Sequence, residues 1–243
     1  MACIAVLCAV AHAQSAVSPP PAYRLEPIAG GPKELRRRFT TQQLALLEKL
    51  NRRDPKHLAR LNTIVVPDGW DLDELAYSSL PPEYPAVAQQ RKFLVVHQPM
   101  QVFGAYESGR LVRWGPVSTG RQSRPTPAGA FHLNWKSPGR HSTVDPEWFM
   151  RWYFNFDNRQ GLSLHEYELP GYPASHACVR LLARDARWLF DWGEGWQLAT
   201  DKQTVTQPGT PLLIVGGYAF GEPAPWRIPE RLQERIALPP SSP

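Results

Sequence analysis

The chain has 243 residues, 42% of them hydrophobic, and its 27 Lys and Arg against 22 Asp and Glu give a net charge of +5. A chain of this size and composition is able to bury the core of one ordinary domain plus a smaller module or extended arms. The mild positive charge favours anionic surfaces, but no basic stripe interleaved with aromatic residues occurs, which excludes nucleic acid as an expected partner.

The N-terminal stretch MACIAVLCAVAHAQS combines a short apolar run with Ala-His-Ala, a small-x-small pattern typical of signal-peptidase sites. No Lys or Arg precedes the run, which departs from the usual pattern. We predict a signal peptide over residues 1–13 and an exported protein of the periplasm or cell envelope. The run is too short to cross a bilayer, so no stable membrane span is expected.

The next segments predict a Pro-rich flexible arm over 14–32, a small helical accessory module over 33–70 and a linker over 71–90. Within the module, Thr40 and Gln43 have the spacing of a capping box at the start of an amphipathic helix. The helix followed by LNR and the strand TIVVP is distantly similar to the latter half of a LysM glycan-binding repeat. A helical packing arm is the alternative.

From residue 91 the sequence becomes strand-like, with runs such as KFLVVH, QVFGAY and LVRWGPVS. The short strand GLSLHE then ends near His165, a Gly/Pro loop leads to Cys178, and ARDARWLFDW predicts a helix. QPGTPLLIV predicts a final buried strand. We therefore expect one mainly β domain with a few helices over 91–217, followed by a C-terminal tail over 218–243 that contains a peripheral helix.

Cys178 is the candidate reactive residue. Removal of residues 1–13 would leave it as the only thiol in an exported protein, without an intramolecular disulfide partner. His176 and Arg180 flank it, and positive charge favours thiolate over thiol. The alternative is a buried cysteine that packs as a small apolar residue.

Five features in order carry a family resemblance: VSTG at 117–120, PTPAGAF at 125–131, His165 at a strand end, SHACVRL at 175–181 and GTPLLIV at 209–215. Together they resemble the L,D-transpeptidase catalytic domain of the YkuD type. The resemblance covers about half of the chain. It implies a β-sandwich-like catalytic domain, here preceded by the small helical accessory region.

The resemblance implies an enzyme of bacterial peptidoglycan that needs no cofactor and no metal. Relatives use the motif cysteine to attack the carbonyl of the third stem-peptide residue, usually diaminopimelate, and expel the terminal D-Ala. The acyl group passes to an amine on another stem peptide, forming 3-3 crosslinks, or to a protein lysine or a D-amino acid. Water as the acceptor gives carboxypeptidase or amidase activity. Relatives are acylated by carbapenems at the nucleophile.

The family match makes Cys178 the nucleophile and His165 the general base, on a separate strand. His176 is the rival base, or a histidine that shapes the loop. Arg180 offers a planar fork for a stem-peptide carboxylate, and an ion pair within the protein is its alternative role. Ser175 is expected to hydrogen-bond the loop or the base, and backbone N–H groups near the cysteine are the expected oxyanion donors. The sequence does not identify the group that orients the imidazole.

Two positions depart from the family pattern, because Ala177 and Glu166 stand where glycine is usual. A positive φ at the first position would cost an alanine about 1 kcal/mol or more, so we expect Ala177, in the substrate-binding loop, to adopt an ordinary backbone conformation. Three roles are open to Glu166: it could influence the properties of His165, contact an amine acceptor or face water. Both changes leave the choice of acceptor open.

Two other classes of protein remain as alternatives. A zinc enzyme would use His165, His176 and Cys178 as ligands with Glu166 as base, although neither HExxH nor paired CxxC motifs occur. A non-catalytic wall-binding protein is the second alternative. The aromatic cluster EWFMRWYFNF at 147–156 has two interpretations, as the wall of a substrate cleft or as core.

Overall fold

A computed structural model describes residues 21–70, 73–142 and 145–240. The signal peptide predicted for residues 1–13 lies outside these ranges. The strands are β1 (Tyr23–Pro27), β2 (Thr63–Pro67), β3 (Phe93–His97), β4 (Val102–Glu107), β5 (Arg110–Ser118), β6 (Gly129–His132), β7 (Lys136–His141), β8 (Phe149–Asp157), β9 (Leu162–Glu166), β10 (Val179–Leu181), β11 (Gln197–Leu198), β12 (Val205–Gln207) and β13 (Pro211–Val215).

The α-helices are α1 (Pro32–Arg38), α2 (Thr41–Leu50), α3 (Pro55–Leu58), α4 (Ala183–Trp192) and α5 (Pro229–Gln233). Short 3₁₀ helices span Glu74–Tyr77, Pro85–Val87 and Pro225–Arg227. Within the described ranges, no helix has both the length and the apolar character required to span a membrane.

A nine-stranded curled sheet forms the body of the molecule, in the order β6-β13-β3-β4-β5-β10-β9-β8-β7. Successive side chains of β3 point to opposite faces: Phe93 and Val95 belong to one hydrophobic core, and Leu94 and Val96 belong to the other. The sheet is therefore buried on both faces, which explains the nearly continuous apolar run FLVVH. The prediction of a mainly β fold with a few helices is confirmed.

The accessory region packs on the first of these cores. Strands β1 and β2 pair antiparallel, with α1, α2 and α3 between them in sequence. The capping box at Thr40 and Gln43 is present at the start of α2, as predicted. Lys49 Nζ donates to the Trp114 carbonyl at 2.8 Å, which ties α2 to the large sheet. The likeness to a LysM repeat stays a prediction.

The segments expected to be extended or loose are more ordered than the sequence indicated. The arm predicted as flexible contains β1, because its backbone finds a partner in β2. The expected linker buries Tyr77, Leu80 and Tyr84 in the first core, and the C-terminal tail buries Trp226 there. Large apolar side chains in these Pro-rich segments supply the burial free energy that orders them.

Strands β9 and β10 position the candidate site. They pair in parallel, with Val179 opposite Leu164 and Arg180 opposite His165. On β9, Leu162 and Leu164 point into the second core, so the alternating residues between and after them face the other side of the strand. Cys178 directly precedes β10 and therefore lies beside that outer face.

Candidate active site

A cavity of about 270 Å³ opens on the outer face of β9. It brings together most of the residues that the sequence nominated. The predicted residues that line it are Cys178, His165, His176, Arg180 and Ser175. Ala177 is the exception, since it does not line the cavity and packs against the second core.

Cys178 is partly exposed at the cavity, and Ser163 Oγ donates a hydrogen bond to its Sγ at 3.6 Å. Burial raises the pKa of the Cys178 thiol, and the opposing effects of Ser163 and Arg180 are smaller. The expectation that neighbouring positive charge produces a resting thiolate is therefore wrong. Desolvation outweighs the charges, so the sulfur rests as a thiol.

Sequence reasoning missed Ser163. The residue is fully buried on β9, two positions before His165, and both face away from the core. The alternation in GLSLHE was the available signal, because residues two apart on a strand share a face.

His165 is held in one tautomer by the backbone. Its Nδ1 lies 3.0 Å from the Glu166 carbonyl oxygen, which accepts only, so Nδ1 carries the proton and Nε2 of the neutral ring carries the lone pair. Burial lowers the pKa of His165 to about 4, and Arg180 adds to that effect. A backbone carbonyl is thus the orienting group that the sequence did not reveal. The imidazole is neutral at physiological pH and able to accept a proton.

His176 lies in the same cavity with its ring 4.9 Å from that of Trp148. Its Nδ1 is buried and has no hydrogen-bond partner within the described part of the chain. Burial lowers the pKa of His176, and the nearby arginines at 121, 180 and 124 lower it further. No backbone acceptor in the described ranges fixes its tautomer, so His165 is the better-oriented of the two candidate bases.

Arg180 lies with its guanidinium carbon 4.5 Å from the centre of the Tyr167 ring. Among the residues described, no carboxylate comes within ion-pair distance of it. Burial lowers the pKa of Arg180. The internal ion pair considered as its alternative role is not formed, and the charge is available to a ligand.

Two sequence motifs brace the loop that carries the cysteine. Ser118 Oγ donates to the Tyr172 carbonyl at 2.7 Å and accepts from Ala174 N at 3.1 Å. Thr126 Oγ1 donates to the Ala177 carbonyl at 2.9 Å and accepts from Gly120 N at 2.8 Å. A Cβ at position 120 would come within 2.1 Å of a backbone oxygen, so this close approach requires glycine.

Further hydrogen bonds fix the ends of the same loop. Ser175 N donates to the Thr119 carbonyl at 3.0 Å, and Ser175 Oγ donates to the Cys178 carbonyl. Ser175 therefore bonds the loop, one of the two roles expected for it. The VSTG and PTPAGAF motifs thus support the loop that carries Cys178.

Ala177 has a φ of +80°, in the left-handed region. The expectation of an ordinary conformation at this position is wrong. The hydrogen bonds on either side of Ala177, from Thr126 and Ser175, hold the loop in a shape that favours glycine. The loop adopts this left-handed conformation although Ala177 carries a Cβ.

Glu166 contributes its carbonyl to His165, but its side chain lines a separate groove with Glu48 and Asp54. A zinc site at the cysteine would need Glu166 beside the proposed ligands. Within the described ranges, no group of three His, Cys, Asp or Glu is arranged to hold a metal ion. The base required by the zinc alternative therefore lines a different groove from His165, His176 and Cys178.

The aromatic cluster at 147–156 is divided between cleft and core. Trp148 and Tyr153 line the cavity, whereas Phe154 and Phe156 belong to the second core. A register shift in the pairing of β8 with β9, beside Trp152 at φ +52°, interrupts the simple alternation. Both interpretations are therefore correct for different residues of the cluster.

The model of the YkuD L,D-transpeptidase catalytic domain matches residues 91–214, just over half of the chain. The chain belongs to the L,D-transpeptidase catalytic-domain family. The match begins before β3 and ends within β13, so it includes the braced loop and the residues that line the cavity, and the resemblance inferred from the motifs is confirmed. A search of curated proteins returns no match.

Solved structures to which this L,D-transpeptidase domain is similar match it at low sequence identity. An L,D-transpeptidase from Stackebrandtia nassauensis is 23% identical with a TM-score of 0.45, over 59% of this chain and 63% of that one. One from Mycobacterium smegmatis is 20% identical with a TM-score of 0.42, over 52% and 59%. The L,D-transpeptidase LdtMt1 in complex with imipenem is 21% identical with a TM-score of 0.42, over 51% and 59%. The chain spans about three fifths of the length of these relatives.

Proposed function

We propose that the protein catalyses cysteine-dependent acyl transfer on peptidoglycan stem peptides in the cell envelope, through a thioester on Cys178. The observation that carries the proposal is the pairing, in one cavity, of a partly exposed thiol with a neutral imidazole whose Nδ1 is fixed by a carbonyl. A protonated nucleophile beside an oriented, unprotonated base is a competent arrangement for acyl transfer.

In the first half-reaction, His165 Nε2 takes the proton of the Cys178 thiol as the sulfur attacks the carbonyl carbon of the donor peptide. The resulting tetrahedral intermediate carries its negative charge on oxygen. The imidazolium then gives its proton to the departing D-Ala amine, and the C–N bond breaks to leave the thioester. Because the resting pair is neutral, proton transfer accompanies attack and no stored ion pair is needed.

The backbone N–H groups of Ala177 and Cys178 support the charge on the intermediate in this proposal. Neither is a donor in the hydrogen bonds found among the described residues. The left-handed conformation of Ala177 shapes the turn that presents both groups. Two adjacent free N–H groups at the nucleophile are the usual construction of an oxyanion site.

In the second half-reaction, an amine acceptor attacks the thioester carbonyl and passes its proton to His165, which returns one to the departing sulfur. A stem peptide, a protein lysine or a D-amino acid is an acceptor of the right chemistry. Arg180, which forms no ion pair with a described residue, would bind a carboxylate of the peptide close to the reacting atoms.

The test is intact mass spectrometry after incubation with a carbapenem, the class to which imipenem belongs. We expect one adduct on the wild type, none on Cys178→Ala, and acylation at least about a hundredfold slower in His165→Gln because the base is lost. His176→Gln is the matched comparison and should retain most of the rate.

Stem tetrapeptide with and without an amine acceptor then separates transfer from hydrolysis by the product formed. An unmodified, folded wild type that binds sacculi as well as Cys178→Ala would instead identify a non-catalytic wall-binding protein.

A further inference from the structure

The cavity continues beyond the cysteine along the hairpin formed by β7 and β8. Arg140 on β7 lies directly opposite Met150 on β8, and both side chains line the cavity. Arg151, the next residue on β8, is exposed and does not line it. One face of the hairpin therefore forms a cavity wall with a single arginine on it.

Two aromatic rings orient the guanidinium of Arg140. Its central carbon lies 4.9 Å from the centre of the Tyr153 ring and 5.2 Å from that of Trp135. These rings are themselves packed together, with centroids 5.1 Å apart, and Trp135 Nε1 donates to Asn158 Oδ1 at 2.8 Å. Contact with ring faces positions a guanidinium while its N–H donors stay free for a planar anion.

No described carboxylate neutralises the positive charge of Arg140. Within the described ranges it takes part in no ion pair, and no Asp or Glu occurs among the residues that line the cavity. Arg180 is the other arginine of this lining and is likewise unpaired. A cavity with two arginines and no carboxylate has a positive potential that favours an anionic ligand.

We propose that Arg140 forms a second anion subsite, which binds a carboxylate of the donor peptide remote from the bond that Cys178 attacks. Arg180 binds the carboxylate nearer the cysteine, so the site selects peptides that carry two separated carboxylates. The inference rests on the proposed function for the nature of the ligand. On this proposal, Arg140 is the residue that distinguishes a peptide with a free carboxylate from the amidated form of the same peptide.

The test measures binding to the Cys178→Ala variant by calorimetry, so that no chemical step contributes. The ligands are a stem tetrapeptide that ends in diaminopimelate and D-Ala, and the same peptide with each carboxylate amidated in turn. We expect amidation of the carboxylate that pairs with Arg140 to weaken binding roughly tenfold or more, since a charged hydrogen-bonded pair is lost. Adding Arg140→Gln should abolish that preference, and Arg140→Lys should retain part of it because the charge remains.

Arg151→Gln in the same background is the matched control, because it removes one positive charge from the opposite face of the same hairpin. It should preserve the preference. The proposal is overturned if Arg140→Gln discriminates among the peptides as its parent does, or if it weakens all of them equally. Carbapenem acylation of the wild type reports on the proposed function separately, so the two failures are distinguishable.

Discussion

Ala177 stores strain at the residue before Cys178, since its φ of +80° costs an L-residue with a Cβ roughly 1–2 kcal/mol. We expect Ala177→Gly to raise the free energy of unfolding by up to about 1 kcal/mol, the relief of strain being partly offset by the greater freedom of glycine in the unfolded chain. Urea unfolding at neutral pH measures the change.

Ala174→Gly is the matched control in the same loop, because Ala174 does not have a positive φ. It should lower the free energy of unfolding by roughly 0.5–1 kcal/mol. A loss of stability in both variants would show that the loop is not strained at Ala177.

The sequence predicted which residues form the site where those residues belong to a recognisable motif. Cys178, His165 and Arg180 were identified from their order in the sequence, and the cavity contains all three. The ionisation state of the thiol was not predictable from the sequence. Neighbouring charges are visible there, but the larger effect on the thiol pKa is desolvation, which depends on what surrounds the sulfur in the fold. The orienting carbonyl of Glu166 was also hidden, since any residue supplies one.

The loop that carries the cysteine is anchored to the accessory region through Asp54. The backbone N of Asp54 donates to the Leu169 carbonyl at 3.1 Å, and Asp54 Oδ2 accepts from Leu169 N at 2.8 Å. Its Oδ1 accepts from His57 N at 2.9 Å, which caps α3. One carboxylate thus joins the start of a helix to the segment that leads to Cys178.

Asp54→Asn tests this anchor with almost no change in shape. Whichever way the amide is turned, either Leu169 N or His57 N loses its acceptor, so we expect a loss of about 1–2 kcal/mol in the free energy of unfolding. Hydrogen exchange should quicken across 166–178, and carbapenem acylation of Cys178 should slow.

Asp73→Asn is the control for the anchor, because Asp73 caps a 3₁₀ helix away from this loop. It should leave exchange across 166–178 unchanged. Equal effects from the two variants would mean that the accessory region does not position the cysteine.

At the scale of elements, the sequence predicted those features of the helices that depend on residues close together in the chain. The boundaries of α4 and the capping box of α2 follow from periodicity and cap chemistry. Asp185 on α4 is fully buried and pairs with Arg113 at 2.7 Å, a contact that the helical pattern does not indicate. Such a partner is separated by 72 residues in the chain, so no local pattern indicates it.

At the scale of the whole molecule, the accessory region and the sheet share one core. Leu46 and Leu50 of α2 pack in the same cluster as Phe93 and Trp114 of the sheet. The sequence suggested separate segments joined by a linker, because Pro-rich composition marks turns without showing where the intervening aromatic residues are buried. The order of the strands in the sheet likewise depends on long-range pairing.

Because burial lowers the pKa of the partly buried His97 and of the buried His165, the stability of the protein should depend on pH in a defined window. Burial lowers the pKa of His97 and of His165 to about 4, against an ordinary value of 6.5. Between these values the unfolded chain binds more protons than the folded protein, so the free energy of unfolding falls as the pH falls from about 6.5 to 4.

Of these two histidines, His97 is the one that does not line the cavity, so His97→Gln removes one titrating group without changing the cavity wall. We expect the loss of stability between pH 7 and pH 5, measured by urea unfolding, to be smaller by roughly 2 kcal/mol in this variant. Between pH 7 and pH 8, above this window, the free energy of unfolding should change by the same amount in the wild type and the variant. An identical loss from pH 7 to pH 5 in both proteins would show that His97 is protonated as readily in the folded state as in the unfolded chain.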